Sequence, residues 1–70
     1  MKPEQITIRA NGQERRLAPC SVAEFLKSCG YRSTQVVVEH NGDILDRRIL
    51  ERVVLQEGDR LEIVVPVAGG

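Results

Sequence analysis

Aromatic residues are nearly absent from this chain. Phe25 and Tyr31 make up its 3%, so it offers no platform on which bases of a single-stranded nucleic acid could stack. An excess of charge is missing too. Ten Lys and Arg offset ten Asp and Glu for a formal net charge of zero, with a pI near 6.6. With no net positive field, there is little counterion release to drive binding to a phosphate backbone. Both absences argue against a nucleic acid partner. The longest apolar run, Ile63 to Ala68, includes Pro66 and falls far short of the roughly 20 residues that a membrane-crossing helix needs. Met1-Lys2-Pro3-Glu4-Gln5 lacks the apolar stretch of a secretory signal, so a cytoplasmic location is the expectation.

Catalytic and metal-binding patterns are also wanting. There is no phosphate loop, no HExxH and no paired CxxC, and His40 is the single histidine. A metal site or a nucleophile–base triad would lack its partners. His40 adjoins the Asn41-Gly42 dipeptide and reads as a surface residue at a strand end. Cys20 and Cys29 flank a predicted helix. Nine residues at about 1.5 Å each set their Cα atoms roughly 13 Å apart, beyond the ~7 Å limit for a disulfide. Free thiols are therefore expected, as suits a reducing compartment. Cys20 precedes a helix N-terminus, where the dipole favours thiolate; the alternative is a small apolar residue. Cys29 falls in the helix's apolar stripe.

What is present is one small domain. Seventy residues, 41% hydrophobic and 29% charged, suit a soluble globular fold over 1–70. A chain of this size buries only roughly 60% of its unfolded surface, which weighs against a private substrate cavity and hence against a self-sufficient enzyme. Gln5 to Ala10 alternate, with Ile6 and Ile8 on one face and Thr7 and Arg9 on the other, and Asn11-Gly12 turns the chain into a second strand over Gln13 to Ala18. Ser21-Val22-Ala23-Glu24 reads as a capping box. Val22, Phe25, Leu26 and Cys29 then paint a helical stripe, and Gly30 is placed to end the helix.

Val36 to Glu39 form a β-branched strand. Asn41-Gly42 is a second hairpin turn, with a brief extended piece through Ile44-Leu45. Asp46 is placed to cap a single helical turn over Arg47 to Leu50. Glu57-Gly58-Asp59 makes a further turn, and Arg60 to Val65 a last strand with Leu61, Ile63 and Val65 on one side. Arg47, Arg48, Glu51 and Arg52 read either as a docking surface or as a solvated face. The order predicts an α+β, single-domain β-grasp fold: a mixed sheet of four to five strands with one main helix packed on one face.

Residues 67–70 fall outside this packing logic as a flexible tail, Val67-Ala68-Gly69-Gly70. Glycine has no Cβ and adopts either sign of φ, so a partner enzyme can draw Gly69-Gly70 through a narrow channel. Four residues at about 3.3 to 3.6 Å each reach roughly 13 Å from the last strand. A carboxyl on Gly70 would be ionised at neutral pH and inert until another enzyme activates it. The alternative is a frayed chain end. If Leu61, Ile63 and Val65 face the helix, Val64 joins Thr7 and Val37 on the opposite sheet face as a modest patch for a partner.

Asn11-Gly12, Ser21-Val22 with Phe25-Leu26, Val38-Glu39-His40-Asn41-Gly42, Leu55 with Gly58-Asp59, Leu61-Glu62-Ile63-Val64 and the final Gly69-Gly70 together make the chain resemble, nearly end to end, the bacterial ThiS sulfur carriers of thiamine biosynthesis. These are ubiquitin-like β-grasp proteins. The resemblance implies a carrier that is not itself an enzyme and binds no cofactor. An E1-like adenylyltransferase (ThiF-like), using ATP and magnesium, would join the Gly70 carboxylate to AMP. Sulfur from a donor such as a cysteine desulfurase would give a thiocarboxylate, and a thiazole synthase (ThiG-like) would take it. The carrier alone would be a monomer. Pro66-Val67-Ala68-Gly69-Gly70 also resemble the small subunit of molybdopterin synthase, a family usually longer and richer in Phe. Further alternatives are a β-grasp interaction module that uses no tail chemistry, and conjugation of the activated glycine to lysines. The chain departs from the ThiS pattern at Asp46, where the family often has Pro, and at Leu50, where it often has an aromatic.

Overall fold

The computed structural model describes residues 4–67. β1 (Ile6–Ala10) and β2 (Gln13–Leu17) form the opening antiparallel hairpin. Asn11 at φ 50° and Gly12 at φ 79° supply the two positive angles that match a two-residue turn to the twist of its strands. β1 turns Ile8 and Ala10 inward while β2 is almost wholly exposed, so the hairpin contributes one apolar face from one strand.

The capping box forms as the sequence predicts. The Ser21 hydroxyl accepts the Glu24 amide at 3.1 Å, and the Glu24 carboxylate accepts the Ser21 amide at 2.9 Å. Helix α1 (Val22–Ser28) buries Val22, Phe25 and Leu26. Its end is closed by Gly30 at φ 85°, which lets the Gly30 amide donate to the Lys27 carbonyl and the Tyr31 amide to that of Leu26. The first helical amides are also satisfied: Val22 donates to the Val53 carbonyl at 2.8 Å and Ala23 to that of Leu50 at 3.0 Å. This stitch holds the segment before the last strand against the helix and draws Leu50 and Leu55 into the core. The site where the family often carries an aromatic is thus filled by a buried leucine.

A 3-10 turn over Ser33–Gln35, which no residue pattern announced, leads into β3 (Val37–His40) and, through Asn41-Gly42, into β4 (Asp43–Ile44). Asp46 caps the 3-10 turn Arg47–Ile49, accepting the Arg48 amide at 2.8 Å. β5 (Arg60–Val64) completes the sheet in the order β2-β1-β5-β3-β4. β1 and β5 run parallel, and the other neighbours are antiparallel. One helix over a five-stranded mixed sheet is the β-grasp arrangement, with Ile8, Val22, Leu26, Val38, Leu55 and Leu61 at its centre.

One strand position departs from the sequence reading. Val65 was expected to point inward with Leu61 and Ile63, yet β5 stops at Val64 and Val65 is 55% exposed. β1 ends at Ala10, opposite Leu61, so among the described residues no strand continues the sheet on that side. Pro66 has no amide hydrogen with which to extend a ladder.

Candidate functional site

β5 is the central strand, and its residues alternate strictly between the core and the open face of the sheet. Leu61 and Ile63 point inward; Arg60, Glu62 and Val64 point out. On the open face Val64 lies directly across from Val37, and Glu62 across from Glu39. Glu39 in turn sits opposite Ile44 of β4. The result is an exposed apolar surface at the end of β5, with Val37, Val64 and Ile44 at 39%, 55% and 72% exposure. Beside it two like charges face one another, an arrangement that disfavours the isolated sheet.

Thr7, expected in this patch, is not part of it. Its carbonyl accepts the Gly58 amide at 2.8 Å and its amide donates to the Glu57 carboxylate at 3.0 Å. It is therefore level with Gly58, ahead of β5, roughly 20 Å from Val64 at the usual rise of a strand. Parallel pairing of β1 with β5 sets that register, and pattern alone does not give it. Ile44, across from Glu39, lies diagonal to Val37 and adds to the exposed apolar surface. Its hairpin position was legible, but its face was not.

Beyond Val64 the chain leaves the sheet, and Val67 is 92% exposed. The remaining tail residues singled out from the sequence, Ala68, Gly69 and Gly70, lie outside the described residues.

The opposite end of β5 is built from polar side chains. Asp59 is buried and accepts from the Gln56 amide at 2.8 Å, from the Asn41 side-chain amide at 3.1 Å and from His40 Nε2 at 2.8 Å. Burial pushes the Asp59 carboxyl up, but hydrogen bonds from His40, Gln56 and Asn41, with the charge of His40, outweigh it and hold the group below its ordinary value. His40 is consequently not the surface residue that its place at a strand end suggests. It is a half-buried partner of Asp59, an ion pair of the fold when protonated.

The thiols and Arg48 each have defined surroundings. Both cysteines are free. Burial, then the nearby carboxylate of Glu24 and the thiol of Cys29, push the Cys20 thiol up. This opposes the activated thiolate that its place before a helix allowed, and Cys20 instead packs against the core. Cys29 closes the helix, with Arg15 Nη2 at 3.7 Å from its sulfur. Arg48 is taken up by an exposed pair with Asp46 at 2.7 Å, which lowers the Asp46 carboxyl to about 2. Among the described residues no three His, Cys, Asp or Glu are grouped to hold a metal ion.

Comparison with known proteins places this geometry. The ThiS family matches residues 8–70. A thiazole synthase of Paramagnetospirillum magneticum is 38% identical over 61 residues, a stretch that is 86% of this chain and 19% of that protein. The chain thus spans about a fifth of that relative's length. A crystal structure of the thiamine biosynthesis protein ThiS from Geobacter metallireducens superposes with a TM-score of 0.80 at 25% identity, covering 93% of this chain and all of that one. A solution structure of a thiamine biosynthesis protein from the same organism gives 0.75 at 25% identity, over 93% and 88% of the two chains. With the family match covering nearly the whole sequence, the chain belongs to the ThiS family.

Proposed function

We propose that this protein is a sulfur carrier of thiamine biosynthesis whose reacting group is the carboxylate of Gly70. The observation that carries the reading is the extent of the family match, which runs from Ile8 through Gly69 and Gly70. A carboxylate spreads its charge over two oxygens and resists nucleophiles. In an E1-like adenylyltransferase holding ATP and magnesium, one carboxylate oxygen attacks the α-phosphorus of ATP and pyrophosphate leaves. The resulting mixed anhydride is reactive at carbon. The persulfide of a donor such as a cysteine desulfurase adds there through its terminal sulfur and AMP departs with the bridging oxygen, leaving an acyl disulfide. A thiol reductant then cleaves the S–S bond, freeing the thiocarboxylate and leaving the donor cysteine in a disulfide with the reductant. Gly69 and Gly70 present no Cβ to the walls of a narrow channel, and Ala68 and Val67 span the distance back to the sheet.

The exposed pair Val37 and Val64, with Ile44 beside them, is the docking surface in this reading; Thr7 lies too far along the sheet to share it. A thiazole synthase is the proposed consumer of the sulfur, supported by the thiazole synthase relative in which a segment similar to this chain forms part of the protein. The test is exchange of labelled pyrophosphate into ATP by the adenylyltransferase of the thiamine pathway. The full chain supports exchange and the Gly70 deletion abolishes it with no change in thermal unfolding. Equal exchange by both chains contradicts the assignment of Gly70.

A further inference from the structure

The two Asn-Gly turns do more than reverse the chain. Each sends its asparagine side chain to β5, at opposite ends and on opposite edges of that strand. At the start, the Asn41 amide donates to the Arg60 carbonyl at 2.9 Å, while Asn41 Oδ1 accepts the Arg60 amide at 2.8 Å. The side-chain oxygen takes the role that a backbone carbonyl would play if β3 continued. At the far end, β1 has already turned away after Ala10, and the last backbone bond on that edge runs from the Asn11 amide to the Leu61 carbonyl at 2.9 Å. Asn11 then reaches two residues further. Its Oδ1 accepts the Ile63 amide at 2.7 Å and its Nδ2 donates to the Ile63 carbonyl at 3.3 Å. One carboxamide stands in for a whole peptide unit of the missing strand.

Both asparagines hold φ at 50°, a left-handed conformation in which asparagine is favoured over most side chains. The Asn11 clamp has a particular place in the molecule. Ile63 is the last β5 residue buried in the core; Val64 and Val65 beyond it are each 55% exposed and Val67 is 92% exposed. On the β1 edge, Asn11 makes the last described hydrogen bonds to the strand before the chain leaves the sheet.

We propose that Asn11 is a positioning residue for the carrier reaction: by holding both backbone groups of Ile63 it fixes the point and direction in which the chain departs from the sheet, and so the region in which the adenylyltransferase meets Gly70. The inference rests on the carrier reading. Without the clamp, the end of β5 is held only by β3 and the tail samples a wider range of directions. If the productive direction is populated a tenth as often, apparent affinity falls about tenfold while the bound complex reacts as before. Asn41, at the other end of β5, has no such leverage on the tail.

Two variants separate positioning from stability. Asn11→Gly and Asn41→Gly both keep a residue at ease with positive φ and both lose side-chain bonds to β5. Each is assayed as the full chain with the thiamine-pathway adenylyltransferase, at a temperature where thermal unfolding shows both folded, alongside amide hydrogen exchange at Ile63. The expected result is faster exchange at Ile63 in N11G, with a carrier KM raised about fivefold to tenfold and kcat within about twofold of the parent, whereas N41G leaves both constants near the parent values. Unchanged Ile63 exchange in N11G overturns the clamp. Faster exchange with unchanged KM overturns its positioning role, as does an equal rise in KM for both variants. If the parent chain itself supports no reaction, the carrier reading fails and the positioning role fails with it.

Discussion

At Arg60, the first residue of β5, the strand is enclosed by side chains that hydrogen-bond: Asn41 holds the backbone, and buried Asp59 gathers His40, Asn41 and the Gln56 amide. Four residues later, at Val64, the same strand ends among exposed valines, with no strand beside it past Asn11 on the β1 edge among the described residues. One end places its polar groups inside and satisfies them, and the other leaves apolar groups outside and uncovered. The difference is one of purpose. A buried carboxylate with three donors is stable only in one arrangement, so the start of β5 anchors the fold. Exposed valines add nothing to the isolated chain's core, and they are what a partner can cover. Stability and availability are thus assigned to opposite ends of a single strand.

Substitutions at the two ends and between them test that division. Between the ends, Leu61→Ala empties a fully buried site of β5 and is expected to cost about 2–5 kcal/mol, read from urea unfolding; a cost below about 1 kcal/mol would place the core elsewhere. At the anchoring end, Asp59→Asn removes an acceptor for buried donors and is expected to cost about 1–3 kcal/mol of stability while leaving the carrier KM of the adenylation assay unchanged. The same residue governs acid behaviour. Because its folded pKa lies below the ordinary 3.8, its contribution is complete above that value and is lost as pH falls through the folded one. Unfolding midpoints measured from neutral pH downward should fall less steeply for Asp59→Asn than for the parent, and parallel curves would sink this account.

At the available end the pattern reverses. Val64→Asp leaves the unfolding midpoint nearly unchanged, because the side chain is solvent-facing, but raises the carrier KM about tenfold, equivalent to about 1.4 kcal/mol. A variant that unfolds early yet binds normally would exchange the roles of the two ends. The smallest expected effect is away from β5: Ser21→Ala breaks the capping box and costs about 1 kcal/mol, with no change in KM.

Much of this architecture is legible in the residues. The capping box, both Asn-Gly turns, the helical stripe through Val22, Phe25 and Leu26, and the Asp46 cap are local patterns whose physics acts within a few residues, and each forms as read. The misses along the sheet are matters of register between distant segments. Thr7 was grouped with Val64 because alternation gives the face of a residue but not its height along the sheet. Val65 was turned inward because the period of β5 does not announce that its neighbour has already left. His40 reads as a surface residue because its partner, Asp59, is brought to it only by pairing of β3 with β5. The same holds for the asparagines: the dipeptide reveals the turn, while the reach of its side chain across to another strand depends on the assembled sheet. For the candidate site, Gly69 and Gly70 lie outside the described residues, while the exposure of Val37 and Val64 is legible because they are apolar on a face that alternation leaves open.

The most direct test of the central claim is the intact mass of the protein after incubation with ATP, magnesium, a sulfur donor and the thiamine-pathway adenylyltransferase, with fragmentation to locate any change. The account predicts a gain equal to one sulfur for one oxygen, confined to the fragment that ends in Gly70. No gain, or a gain located on Cys20 or Cys29, would contradict it.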